Sequence, residues 1–167
     1  MKKTNSIYFN KFYILIAILI VLTSCSSTQT SEKKVIGRVT IDEWMFSSGW
    51  DNSRYNETKF DNHQLEIFKK LTENHSAKFV IFASSSCLEC AGTLPYFLKL
   101  LTQAKYPQDS IHLIGLDDYW EEPEGMHKKY KLNEIPIVYI ELESRSKFLR
   151  KNDFINFDRI ITVLNEN

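Results

Sequence analysis

Lys78-Phe79-Val80-Ile81-Phe82-Ala83-Ser84-Ser85-Ser86-Cys87-Leu88-Glu89-Cys90 is the stretch from which the rest of the chain can be read. Its apolar first half has the length and composition of a buried strand, and the residues after Cys87 repeat at helical spacing. A Cys-x-x-Cys therefore falls where a strand gives way to a helix. A thiol at a helix start lies beside unpaired backbone N–H groups and the positive end of the helix dipole. Its thiolate is favoured there, and the spacing lets the two sulfurs close on each other. Cys87 and Cys90 are thereby candidate redox residues.

Outward from this point the chain alternates elements. Val35–Ile41 has the pattern of a first strand. The aromatic, Asn- and Ser-rich stretch 44–60 has no clear period, and its Trp44, Phe46 and Trp50 are expected in the core. Asp61 with Gln64 resembles a capping box, and Leu65, Phe68 and Leu71 share one face, which predicts a helix over 61–75. Leu94, Phe97, Leu98 and Leu101 extend the helix after the cysteines to about Lys105, where Tyr106-Pro107 ends it. Pro95 inside that helix predicts a kink. Ile111–Leu116 reads as a buried strand, Met126–Tyr130 as a short helix and Pro136–Leu142 as a strand. Lys147–Arg150 reads as its hairpin partner and Phe157–Leu164 as a terminal helix. Asp117-Asp118-Tyr119-Trp120-Glu121-Glu122 is expected to be a solvated connection with its aromatics packed on the domain.

The N-terminus has its own pattern. Lys2, Lys3 and Lys11 precede an apolar run from Phe12 to Leu22, which has the length of a signal-peptide core and falls short of the ~20 residues of a membrane span. Leu22-Thr23-Ser24-Cys25 then resembles a bacterial lipobox, in which the cysteine is acylated after cleavage. The expected organisation is a signal peptide over 1–24, a lipid-anchored polar tether over 25–34 and one domain over 35–167. The whole sequence balances 21 Lys and Arg against 21 Asp and Glu, and loss of the leader makes the remainder mildly acidic. That balance gives no basis for a nucleic-acid partner. With Cys25 assigned to lipid, Cys87 and Cys90 are the two remaining thiols of the 3 cysteines, in an exported and oxidising setting. A structural disulfide and a metal site are alternative uses of the pair. The latter needs further ligands, and His63, His75, His112 and His127 lack ligand spacing to the cysteines.

Taken together, the strand, the Cys-x-x-Cys at a helix start, Pro95 within that helix and Tyr130-Lys131-Leu132-Asn133-Glu134-Ile135-Pro136 before an apolar strand resemble the thioredoxin superfamily. The likeness covers most of residues 78–150, and Cys-Ala-Gly-Thr-Leu-Pro at 90–95 is similar to membrane-tethered extracytoplasmic members. It implies an α/β thioredoxin-like fold with a central mixed sheet flanked by helices, and thiol–disulfide exchange with Cys87 attacking and Cys90 resolving. It also implies a cis Ile135–Pro136 bond lying against the reactive disulfide at the substrate-binding edge. The redox group is the Cys87–Cys90 disulfide itself, with no separate cofactor and no metal. The implied partners are thiols or disulfides of envelope proteins and a membrane-bound or soluble thiol reductant, for a monomer anchored in the bacterial cell envelope with its domain facing the periplasm or extracytoplasmic space.

The sequence departs from the family pattern at the usual Trp before the first cysteine, here Ser86, and at the usual Gly-Pro, here Leu88-Glu89. The buried acid of the family strand falls at Ile81, which takes no proton. Glu89, one residue from each sulfur, disfavours a second anion and so is expected to tune the pKa of Cys87 and make the pair more reducing than strong disulfide donors. The second reading is a thioredoxin-fold binding or assembly module with idle or structural cysteines.

Overall fold

The computed structural model describes residues 34–74, 76–143 and 145–166. The leader, Cys25, most of the tether and His75 lie outside the described residues. The elements are β1 (Gly37–Val39), α1 (Ile41–Ser47), α2 (Ser53–Glu57), α3 (Asn62–Asn74), β2 (Lys78–Ala83), α4 (Leu88–Gln103), a 3-10 turn (Gln108–Ser110), β3 (Ile111–Gly115), α5 (Met126–Tyr130), β4 (Ile137–Glu141), β5 (Ser146–Arg150) and α6 (Phe157–Asn165). The five strands form one mixed sheet in the order β1-β3-β2-β4-β5. Only β2 and β3 pair in parallel, with Ala83 opposite Gly115; β1, β4 and β5 join antiparallel. Among the described residues no helix is long and apolar enough to cross a membrane.

Alternation along β2 divides the core between the sheet faces. Phe79, Ile81 and Ala83 point into a large cluster with Trp44, Phe68, Leu94, Phe97, Leu98, Leu101, Ile160 and Leu164, so α1, α3, α4 and α6 cover that face. Val80 and Phe82 point to the other side, where Met126, Tyr130 and Leu132 around α5 cover them with Ile114 and Ile137. Both faces of β2 are buried, which explains its unbroken apolar run.

The expected element order holds, with corrections at the N-terminal end. The first strand stops at Val39 because Thr40 caps a helix instead: its Oγ1 accepts from Glu43 N at 3.1 Å, and Asp42 and Glu43 complement the helix dipole. The stretch 44–60 contains the end of α1 and all of α2, helices too brief for their periodicity to register. Trp44 and Trp50 are buried, whereas Phe46 is 91% exposed, against the expectation that all three enter the core. The capping box at α3 is reciprocal: Gln64 N donates to Asp61 Oδ1 at 2.8 Å and Asp61 N to Gln64 Oε1 at 3.1 Å. Helix α4 runs on through Pro95, which is buried, and the Arg54 guanidinium donates to the Gly92 carbonyl in the turn before it.

Gly115 marks where the chain entering β1 crosses the end of β3. A Cβ there would meet the Val35 carbonyl oxygen at 2.1 Å, backbone that cannot move aside cheaply. Gly115→Ala is expected to lower stability by about 2 kcal/mol. Gly92→Ala, on α4 with nothing within 4 Å of the added carbon, is expected to raise it by about 0.5–1 kcal/mol. Urea denaturation of both variants checks this contrast.

Candidate functional site

The parallel pairing of β2 with β3 makes both strands end at the same edge of the sheet, and the antiparallel β4 starts there. Three connections converge as a result: the 84–87 turn, the 116–122 loop and the Ile135–Pro136 entry to β4. Leu116 N donates to Ala83 O at 2.8 Å and ties the first two together. Between them lies an open cleft of about 400 Å³ lined by Ser84, Ser86, Cys87, Glu89, Asp117, Asp118, Trp120 and Ile135.

Cys87 is the N-cap of α4, with Cys90 N donating to its Sγ at 3.1 Å. The two cysteines are joined as a disulfide, Cα to Cα 5.2 Å. Their environments differ. Cys87 is half-buried and faces the cleft, while Cys90 is fully buried in the apolar cluster beneath α4. Leu88, between them, is 87% exposed. The Ile135–Pro136 peptide is cis, Ile135 lines the cleft with Cys87, and Pro136 is buried.

The turn that delivers Cys87 is closed by Cys87 N donating to Ser84 O at 3.1 Å. Ser84 and Ser86 share a hydrogen bond at 3.0 Å, and Ser86 Oγ donates to Asp118 Oδ1 at 3.0 Å. Asp118 also pairs with Lys34. These two hydrogen bonds, Lys34 first and Ser86 second, hold its exposed carboxyl below the usual range. The loop beyond is a compact turn in which Asp117 Oδ1 accepts from Tyr119 N at 2.8 Å and Glu121 N at 2.9 Å. It holds Trp120 at φ 63° and Tyr119 87% exposed, which corrects for Tyr119 the expectation that these aromatics pack on the domain. Trp120 lies against the domain, along the cleft.

Glu89 pairs with Lys151 Nζ at 2.7 Å. A cation from the chain just past β5 thus shares the carboxylate that the sequence places beside the sulfurs, a long-range contact with no local signal. His63 is exposed and His112 sits on β3, where burial and then Arg38 push its imidazole down. His127 is engaged elsewhere: its Nδ1 lies 2.8 Å from Oε1 of the buried Glu122. No cluster of three potential metal-ligating side chains occurs among the described residues.

No protein-family model, no curated protein and no solved structure matches this chain.

Two outcomes are expected from the Glu89–Lys151 and Glu122–His127 contacts. Lys151→Met leaves the Glu89 charge uncompensated beside Cys87, and alkylation of reduced Cys87 by iodoacetamide at pH 7 is expected to slow about twofold, as suits an exposed pair. Glu122 clasps the 117–125 loop to α5. Burial raises its carboxyl, but hydrogen bonds from the His127 ring and backbone and from Glu124 N outweigh this and hold it below the usual range. A folded-state pKa below the unfolded one contributes stability above the unfolded value, about 4.3, and loses it as pH falls through the folded value. Glu122→Gln is therefore expected to cost about 1.5 kcal/mol at pH 7, with the gap to wild type closing below about pH 4. Urea titrations at a series of pH values measure the gap.

Proposed function

We propose that this protein is a thioredoxin-like thiol–disulfide oxidoreductase, anchored in the bacterial cell envelope by lipid on Cys25 with its domain facing the periplasm or extracytoplasmic space, that exchanges disulfides with proteins of the envelope. One observation carries the catalytic part: a half-buried Cys87 caps α4 at the mouth of a cleft and is disulfide-bonded to a Cys90 with no exposed surface. This asymmetry suits one attacking and one resolving thiol. The five-stranded mixed sheet, the strand-to-helix placement of the pair and Ile135 in the same cleft are compatible with the thioredoxin-like fold that the sequence resembles.

The chemistry balances as follows. The Cys87 thiolate attacks one sulfur of a client disulfide; the client S–S bond breaks, a mixed disulfide forms and the first client thiolate leaves. Ile81, where the family pattern has its buried acid, carries no carboxylate, and Glu89 is held by Lys151. The departing client thiolate is then the base at hand, and it takes the Cys90 proton. Cys90 attacks the Cys87 sulfur, closes the intramolecular disulfide and expels the second client thiolate, which is protonated from water. Two electrons pass from the cysteine pair to the client, and an external thiol reductant restores them. Run backwards, the same steps oxidise a client dithiol.

Reduction of a protein disulfide such as that of insulin, driven by a small dithiol, tests this. Cys87→Ser is expected to abolish the reaction, and Cys90→Ser to accumulate the mixed disulfide on Cys87, visible as an adduct by mass spectrometry. Equal, background rates for wild type and Cys87→Ser would place the domain among binding or assembly modules instead.

A further inference from the structure

Taking the exchange reading as its basis, we propose that Trp50 is a positioning residue for Cys87: its indole N–H fixes the Ser85 carbonyl, two residues before the reactive sulfur, and thereby sets the balance between dithiol and disulfide. Trp50 Nε1 donates to Ser85 O at 2.9 Å across 35 residues of sequence. Ser85 and Ser86 are the central residues of the Ser84–Cys87 turn and belong to neither β2 nor α4. A peptide unit is planar, so holding the Ser85 carbonyl also fixes the direction of the Ser86 N–H and the approach to Cys87.

The donor cannot follow the turn if the turn moves. Trp50 is 8% exposed and packs edge-on against the fully buried Trp44, ring centroids 5.1 Å apart. The flanking chain is tied down as well, by Asn52 Nδ2 donating to Met45 O at 3.1 Å and Trp50 N to Ser48 Oγ at 3.4 Å. The other outside ties to the turn are weaker anchors: the long Val35 N to Ser85 Oγ contact at 3.4 Å, and Ser86 on Asp118, a residue at the surface. Among the described residues, Trp50 is the one buried side chain that hydrogen-bonds this turn from outside the strand–helix unit.

The functional consequence runs through preorganisation. Closing the disulfide requires Cys87 and Cys90 at a narrow Cα separation, 5.2 Å here. A braced turn keeps Cys87 at that separation in the dithiol form too, so closure costs less freedom. Without the brace the dithiol gains freedom and is favoured. The loss of one neutral hydrogen bond sets the scale at about fivefold in the equilibrium constant, or about 20 mV toward a less negative potential.

The test compares full-length wild type, Trp50→Phe and Trp44→Phe by equilibration with a small dithiol and its disulfide. Trp44 belongs to the same aromatic pair, yet among the described residues its Nε1 has no hydrogen-bond partner, so its replacement controls for lost packing. Trp50→Phe is expected to lower the disulfide-forming constant about fivefold and Trp44→Phe to leave it close to wild type. Coincidence of Trp50→Phe with wild type, or equal shifts in both variants, overturns the positioning role while leaving the exchange reading intact. Failure of the wild-type pair to exchange at all overturns both. If Trp50→Phe does not fold, the wild type alone decides. Linkage is reciprocal, so a brace that favours the disulfide is itself favoured by it to the same degree. Solvent exchange of the Trp50 indole N–H should then quicken about fivefold on reduction, with that of Trp44 unchanged; equal rates in the two redox states overturn the proposal.

Discussion

The parallel pairing of β2 with β3, in register at Ala83 and Gly115, is the constraint on which the site depends. It ends two strands at one edge, and the antiparallel β4 begins there, so segments far apart in sequence meet around Cys87. The pairing is fixed by burial. Both faces of β2 are packed, and a slip of one residue would exchange Phe79 and Ile81, which face the helices, with Val80 and Phe82, which face α5. The cysteine pair is thus positioned by the same packing that makes the core.

Electrostatics around the site is a set of exposed pairs. Glu89 on Lys151 and Asp118 on Lys34 hold carboxylates at the cleft, each with its own cation. Such pairs in water contribute little to stability. Their effect is local: together with Asp117, which lines the same cleft and accepts from backbone N–H groups, they set how much negative charge a thiolate on Cys87 meets. The buried Glu122–His127 contact is of another kind, a clasp that fixes the loop carrying Trp120.

Much of this was legible in the sequence because it is encoded locally. The capping pair Asp61 and Gln64, the apolar run of β2 and the cysteines at a strand-to-helix switch each carry their meaning within a few residues. The short helices over 41–57 carry no readable period because neither is long enough to show one. A local sign existed all the same: Thr40-Ile41-Asp42-Glu43 has the Thr-x-x-Glu form of a capping box, and Thr40 caps α1. The contacts that shape the site were out of reach for a different reason. Trp50 on Ser85, Lys151 on Glu89 and Trp120 beside Cys87 join residues that only the folded topology brings together.

The proposed exchange chemistry requires Cys87 and Cys90 to form a working redox pair. A redox titration of the protein, trapping free thiols with an alkylating label across defined dithiol buffers, is the test of that requirement. A reversible two-electron transition is expected between about −270 and −120 mV, with the label reaching half-buried Cys87 before buried Cys90. A disulfide that resists reduction beyond about −300 mV, or thiols that never pair, would contradict it.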